Sequence, residues 1–328
     1  MKLPRRKFLH FATAATTLSL LPAISHFAAA ETYPTRPVHW IIGFPPGGGA
    51  DIIARIMGAW LSKRLGQQVI IENRPGAGTN IATEYVVRSP PDGYTLLWDG
   101  VSNAINASIF SDLPFDFLKD IAPVSGVVAY PLVLEVNPKV PAKSVAELIA
   151  LAKASPGKLT LASYGTGTIS QVAGELFKLR AGIEMVHVPY KGGAPMLTDL
   201  LSGHVDAAVN VVASDLPHIR SGTVRAVATL GPKRLDALPD VPTLAETFPG
   251  YEAVAFTGVG VPRGTPPAII QRLNREINAG LADPGLRKRL DDLSVTPLIF
   301  TPAEFGAYMT SEAEKWAKVI KVANIKMK

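Results

Sequence analysis

Three groups of residues in this 328-residue chain have types and spacings that could do chemistry. The first is Phe44-Pro45-Pro46-Gly47-Gly48-Gly49-Ala50-Asp51, which follows the apolar run Val38-His39-Trp40-Ile41-Ile42. It precedes apolar residues at helical spacing: Ile53, Ile56, Met57, Trp60 and Leu61. This reads as strand, glycine turn and helix start. Free backbone N–H groups at a helix start, with glycines that let a ligand come close, suit an anion. A plain strand-to-helix turn uses glycine too, so the residues alone allow both readings. Gly-Lys-Ser/Thr and GxGxxG spacings are absent, so this is not a nucleotide loop. Asp51 would repel an anion unless turned away, and acids favour first helical turns, so a structural role is expected for it. The second group, Ser163-Tyr164-Gly165-Thr166-Gly167-Thr168, repeats the logic after another apolar run. The third is His187-Val188-Pro189-Tyr190-Lys191-Gly192-Gly193. Lys191 could hold a carboxylate, but a turn with Lys191 in solvent is the preferred reading.

Catalysis is harder to assemble. His39, His187, His204 and His218 are isolated, and His-Glu-x-x-His and Gly-x-Ser-x-Gly are both absent. Ser163 or Ser170 with His187 is the best nucleophile–base pair available. Asp206, Asp215, Asp236 and Asp240 lack a metal-ligand spacing. The chain has no cysteine, which excludes disulfides, thiolate metal sites and cysteine nucleophiles. No catalytic residue, metal or cofactor is expected. Asn106-Ala107-Ser108 matches a glycosylation sequon, a match common by chance.

The N-terminus reads as an export signal. Arg5-Arg6-Lys7-Phe8-Leu9 is basic with a twin arginine, a short apolar stretch follows, and Ala28-Ala29-Ala30 precedes Glu31 as a small-residue cleavage site. Residues 1–30 are therefore expected to be a cleaved signal, of twin-arginine rather than general secretory type, delivering a periplasmic protein. The whole chain has 33 Lys+Arg against 27 Asp+Glu, and Lys2, Arg5, Arg6 and Lys7 all lie in the signal, leaving a mature balance of about +2. The basic bias thus gives no ground for a nucleic-acid partner or a membrane surface. About 300 remaining residues can bury a core without disulfides and suggest two lobes.

Strand-like and helix-like segments alternate nearly throughout, so an α/β fold is expected. Strands are read at 68–72, 94–98, 159–163, 184–188, 205–212, 224–229 and 253–261, and the stretch 121–136 is either two strands or one long crossing strand. Helices are read at 81–88 and 169–181, after a capping box at Ser144 and Glu147, after Pro266-Pro267, and at the C-terminus with Phe305, Met309, Trp316 and Ile320 on one face. Asn73-Arg74-Pro75-Gly76-Ala77-Gly78-Thr79-Asn80 is a further glycine turn. One anion-friendly turn in each half suggests a cleft between lobes. The lobes are placed at 31–129 plus 253–328 and at 130–252.

Several marks in order resemble one family. They are Tyr33-Pro34-x-Arg36-Pro37, Phe44-Pro45-Pro46-Gly47-Gly48-x-x-Asp51-Ile52, Glu72-Asn73-Arg74-Pro75-Gly76-Ala77-Gly78 and Pro91-Asp92-Gly93-Tyr94-Thr95-Leu96-Leu97. Ala122-Pro123-Val124, Val186-His187-Val188-Pro189-Tyr190-Lys191-Gly192 and Leu238-Pro239-Asp240-Val241-Pro242-Thr243 continue the set. Over nearly all of the mature chain, this resembles the tripartite tricarboxylate transporter substrate-binding family, also called the Bug family. The resemblance implies a two-lobed, type II-like periplasmic binding protein, not an enzyme, that closes like a clamshell on a small organic acid. The expected ligands are di- or tricarboxylates, acidic amino acids or aromatic acids. The expected partners are membrane transporter subunits or, alternatively, a sensor ectodomain, and the receptor itself is expected to be monomeric. The resemblance places the first glycine turn on a ligand carboxylate, partly through water, with the 163–168 turn facing it. Phe44, Pro46, Gly47, Gly48, Gly49, Ala50, Asp51, Trp98, Ser163, Tyr164, Gly165, Thr166, Gly167, Thr168 and Asn210 are the candidate ligand-binding residues. The chain departs from the family at Ala50, where a threonine or serine is frequent, and at Trp98 and Asp99, where a glycine and a small polar residue are. It also carries Asn103 where histidine is frequent, a bulky Tyr164, and Asn210 near the place of a frequent aspartate.

Overall fold

A computed structural model describes residues 33–110, 112–322 and 325. The expected export signal at 1–30 lies outside the described residues. The first half is built on β1 (Val38–Ile42), β2 (Val69–Asn73) and β3 (Thr95–Gly100), parallel in the order β2-β1-β3. The crossover between β1 and β2 is α1 (Gly49–Leu65); α2 (Asn80–Val87) follows β2, and α3 (Val101–Ile109) and the short α4 (Phe117–Asp120) follow β3. Trp40, Ile41 and Ile42 of β1 are fully buried, and so are Ile53, Met57 and Leu61 of α1, as the helical spacing predicts for the latter. Each such side chain stabilises the fold by about 1.5–3 kcal/mol relative to an exposed one. Trp60 of the same helix instead reaches α10 (Pro267–Ala282), where its indole N–H donates to the Glu276 carbonyl at 3.1 Å.

The stretch 121–136 is one strand, β4 (Ile121–Val136), and it organises both halves. From Ile121 to Pro131 it runs antiparallel to β9 (Val254–Pro262), which pairs in turn with β3. From Leu132 to Val136 it runs antiparallel to β7 (Ala207–Val211), and it is also paired there with β8 (Arg225–Thr229). β5 (Thr160–Ser163) lies parallel to β7 and to β6 (Val186–Pro189), which ends the second half. The sheet is thus continuous along β2-β1-β3-β9-β4-β7-β5-β6, with the two-residue β10 (Thr296–Pro297) on β4.

Helices flank each half. In the second, α5 (Val145–Ala154) starts at Ser144, whose hydroxyl accepts from the Glu147 amide at 3.2 Å, and α6 (Ile169–Ala181) occupies the expected range. Three more complete it: α7 (Gly193–Ser202), α8 (Val212–Arg220) and the short α9 (Leu244–Thr247). After α11 (Pro284–Asp291), α12 (Pro302–Val322) buries Phe305, Met309, Trp316 and Ile320 on one face. Both glycine turns leave the carboxyl ends of parallel strands, β1 and β5, where open α/β sheets place ligands.

Candidate functional site

The two halves touch at their glycines. A side chain on Gly49 would come within 2.8 Å of Val211 Cγ2, one on Gly192 within 2.3 Å of Pro45 Cγ, and one on Gly78 within 2.6 Å of the Thr166 carbonyl. Glycine is therefore what lets the halves meet. Phe44 and Tyr164 face each other across this contact, edge to face, with ring centroids 5.9 Å apart. Around that aromatic pair lie three cavities, all lined by both rings.

The first cavity lies between Gly48, Gly49 and Ala50 on one side and Gly193, Asn210 and Val211 on the other, with Pro45 and Tyr130 completing the wall. Its polar equipment is neutral. The first intrahelical bond of α1 runs from the Ile52 amide to the Gly48 carbonyl, and no side chain caps the helix. The amides of Gly49, Ala50 and Asp51 are thus left without an intrahelical acceptor. The hydroxyls of Tyr130 and Tyr164 have no hydrogen-bond partner among the described residues; burial pushes both well above the ordinary phenol range, so both stay protonated and able to donate. Amides at a helix start plus two phenols can hold an anion without a basic side chain.

The turn that supplies these amides is held from behind. Asp51 is 4% exposed, and its carboxylate accepts from the Gly47 amide at 3.0 Å, Arg55 Nε at 2.9 Å, Arg55 Nη2 at 2.8 Å and Asn73 Nδ2 at 3.0 Å. Burial raises this carboxyl, but the Arg55, Gly47 and Asn73 hydrogen bonds outweigh burial and hold it below its ordinary value. Asn73 Nδ2 also reaches the Phe44 carbonyl at 3.0 Å, which closes the turn. Gly47 adopts φ +83°, a conformation that L side chains rarely accept.

The opposite turn is committed mostly to itself. The Tyr164 amide donates to Ser170 Oγ at 3.2 Å, the Gly165 amide to Ser163 Oγ at 3.4 Å, the Gly167 amide to Gln171 Oε1 at 2.8 Å and the Thr168 amide to the Gly165 carbonyl at 3.3 Å. Among the described residues, the Thr166 amide is the one in this turn without such an acceptor. Gly165, Thr166 and Thr168 line the second cavity, of about 710 Å³, with Gly76 to Thr79 and with Pro189, Tyr190 and Lys191. Lys191 is exposed at its rim.

Trp98 is buried, 5.3 Å from the Trp40 ring, and lines the third cavity, of about 250 Å³, with Asp99 and Asn103. Burial pushes the Asp99 carboxyl well above its usual range. Of the sequence candidates, Phe44, Gly48, Gly49, Ala50, Tyr164 and Asn210 meet at the first cavity, while Pro46, Gly47, Asp51, Ser163 and Gly167 line none of the three. The sequence reading missed Tyr130, Gly193 and Val211. Tyr130 sits inside an unbroken apolar strand, so nothing local marks it, but the glycine pair at 192–193 was visible as a helix start.

The serine–histidine pair does form. Ser163 Oγ lies 2.7 Å from His187 Nε2, and burial lowers the imidazole's affinity for a proton. Ser163 is 1% exposed, however, and also interacts with its own turn at the Gly165 carbonyl. A nucleophile must reach its substrate, and this hydroxyl faces no cavity. Ser170 donates to the Val209 carbonyl at 2.6 Å and is equally enclosed. Among the described residues no group of three or more His, Cys, Asp or Glu could hold a metal ion, and no helix is long and apolar enough to cross a membrane.

Known proteins share this architecture. Protein BugT of Bordetella pertussis (strain Tohama I) is 40% identical over 303 residues, which is 92% of this chain and 93% of BugT. The structure of R. palustris Rpa4515 with adipate superposes with a TM-score of 0.87 at 35% identity, covering 90% of this chain and 99% of the other. MatC from Rhodopseudomonas palustris with bound malate gives 0.83 at 30% identity, covering 88% and 100%. Residues 53–325 match the family described as tripartite tricarboxylate transporter family receptor. With that match and those relatives, this chain belongs to the tripartite tricarboxylate transporter receptor family.

Proposed function

We propose that this chain is an exported, periplasmic solute receptor that captures a small carboxylate-bearing molecule in the first cavity and delivers it to a tripartite tricarboxylate-type transporter. The observation that carries the reading is the uncapped start of α1, whose Gly49 and Ala50 backbone opens on a cavity closed from the other side by Asn210 and Val211. The carboxylate would rest on the Gly49 and Ala50 amides, directly or through water, with Tyr130 and Tyr164 donating beside them. Phe44 and Tyr164 would close over the ligand, and the 165–168 turn would contribute chiefly the Thr166 amide. Asp51, Gly47 and Pro46 would position the turn rather than touch the ligand, and Trp98 would back the third cavity. Relatives solved with adipate and with malate are consistent with a small organic acid as ligand.

In this reading the protein acts by closure and not by turnover. The lobes would be 31–129 with 253–328, and 130–252. The hinge would lie where β4 changes partner between Pro131 and Leu132, and where Val254 of β9 opposes Pro131. A ligand held by both lobes stabilises the closed arrangement by its differential affinity for it. The receptor works as a monomer and carries no catalytic group, cofactor or nucleic-acid surface.

The test is a ligand screen on protein unfolded and refolded to remove any co-purified solute. Thermal shift over dicarboxylates, tricarboxylates, acidic amino acids and aromatic acids, confirmed by calorimetry, should give at least one acid bound tightly and recovered unchanged. Binding of no acid by demonstrably refolded protein would overturn the carboxylate reading, and a chemically altered ligand would overturn the receptor reading.

A further inference from the structure

Asn210 is fully buried at the wall of the first cavity, and its two polar ends have different fates. Its Nδ2 donates to Asp215 Oδ2 at 2.6 Å. Its Oδ1 has no hydrogen-bond partner among the described residues. A buried carbonyl oxygen left unpaired costs about 1–3 kcal/mol, so such an atom beside a cavity marks a place where something else is meant to donate.

The orientation of this amide is enforced from within the second half. Glu135 of β4 and Asp215 of α8 are both fully buried and interact with each other. Two adjacent buried carboxyls cannot both ionise and so share a proton. Burial and the neighbouring Asp215 push Glu135 well above the ordinary range, and burial raises Asp215 as well; the hydrogen bond that Asp215 accepts is the one from Asn210 Nδ2. The Asn210 nitrogen is committed to Asp215 Oδ2, which leaves the oxygen as the unpaired end of an amide at the cavity wall.

Gly193 packs directly beside that buried oxygen. Its φ is not positive, so its backbone does not require glycine. A Cβ at this position would lie only 3.0 Å from Asn210 Oδ1. The missing side chain clears space around the acceptor.

Building on the carboxylate reading above, we infer that Asn210 Oδ1, held by Asp215 at the other end of its amide and lying beside Gly193, is a specificity-determining acceptor subsite that selects ligands carrying an N–H or O–H donor in addition to their carboxylate. An ionised second carboxylate offers only acceptors and meets an oxygen there, so it is disfavoured. A hydroxyl, an amide N–H or an ammonium satisfies the subsite. The donor is the shared chemistry of these three ligand types. Asp215 is a positioning residue, acting through Asn210.

The test is calorimetry on the refolded full-length mature protein with probes of one carbon length: pentanoate, glutarate, 5-hydroxypentanoate, 5-aminopentanoate and glutaramate. The same comparison is run with the four-carbon set. Donor-ended acids should bind at least about tenfold more tightly than both the methyl-ended and the carboxylate-ended acids, a difference typical of one buried hydrogen bond to a ligand. The amino probe against the hydroxy and amide probes separates a charged from a neutral donor. Asn210→Leu should erase the preference. Gly193→Ala, which leaves the acid pair intact, should reduce it severalfold and guards against a misfolded Asn210 variant. Tighter binding of glutarate or succinate than of their donor-ended counterparts, or equal binding of all, would overturn the inference. If no acid binds, primary amides are compared with their N,N-dimethyl forms. Binding of the primary amides alone would uphold the acceptor subsite while the carboxylate reading falls; binding of neither, or of both equally, would overturn the subsite as well.

Discussion

At the scale of single residues, the site depends on side chains that do not face its cavities. Asp51 accepts hydrogen bonds from Gly47, Arg55 and Asn73, and so fixes the turn whose amides open on the first cavity. Its folded-state carboxyl lies below its ordinary value, so its stabilisation is full above the unfolded value near 4 and is lost as pH falls through the folded value. Asp51→Asn is predicted to cost about 2 kcal/mol at pH 7 and much less at pH 3, measured by urea unfolding at both. Equal loss at both pH values would contradict an ionised, hydrogen-bonded Asp51. Glu135 and Asp215 have the opposite sign. Their folded-state values are raised, so the stability linked to their shared proton is present below about pH 4 and fades as pH rises toward the raised values. Glu135→Gln removes one of the two titrating groups. Its unfolding free energy is predicted to fall less steeply than the wild type's between pH 4.5 and 8.5, and parallel curves would contradict the shared-proton account. The residue chemistry legible in the sequence was that of the glycines and of Asp51. The Glu135–Asp215–Asn210 cluster was not, because its members lie on β4, β7 and α8 and only strand pairing brings them together.

At the scale of elements, periodicity and capping worked where a segment had one buried face. The spacing at Ile53, Met57 and Leu61 and the Ser144 cap both predict what is found in α1 and α5. The helices α3 and α8 gave no comparable signal. α3 is rich in asparagine and serine, and its Asn103 and Asn106 side chains are buried in hydrogen bonds to Thr83, Gly78 and Asn80 instead of apolar contacts. α8 carries Pro217 inside it, which argues against a helix on local grounds. The start of α1 allows a sharper experiment. Gly48 has φ −81° and nothing nearer than 3.9 Å to a side chain placed on it, whereas a side chain on Gly49 would strike Val211. Gly49→Val is therefore predicted to weaken ligand binding by more than about tenfold with a small change in melting temperature, because it wedges the two halves apart, while Gly48→Ala stays within a few-fold of wild type. Equal effects of the two substitutions in calorimetry would contradict the close approach at Gly49.

At the scale of the molecule, the α/β class and the presence of two halves were readable from the alternation of strands and helices. The continuity of the sheet was not. The 121–136 stretch admitted two readings because a largely apolar run does not say where a strand changes neighbours; that is decided at Pro131 and Leu132 by β9 on one side and β7 on the other. Such a joint permits a hinge without breaking the strand. A ligand-free sample is predicted to have a larger radius of gyration by small-angle scattering than the same sample saturated with an acid ligand, and identical values would contradict closure on ligand. The central claim is narrower: that a ligand carboxylate sits at the start of α1. A crystal structure with the tightest-binding acid tests it most directly. The account predicts a carboxylate oxygen about 2.7–3.2 Å from the Gly49 or Ala50 amide, or joined to it by one water, inside the first cavity. A carboxylate seated on Lys191 in the second cavity, with the α1 amides untouched, would contradict it.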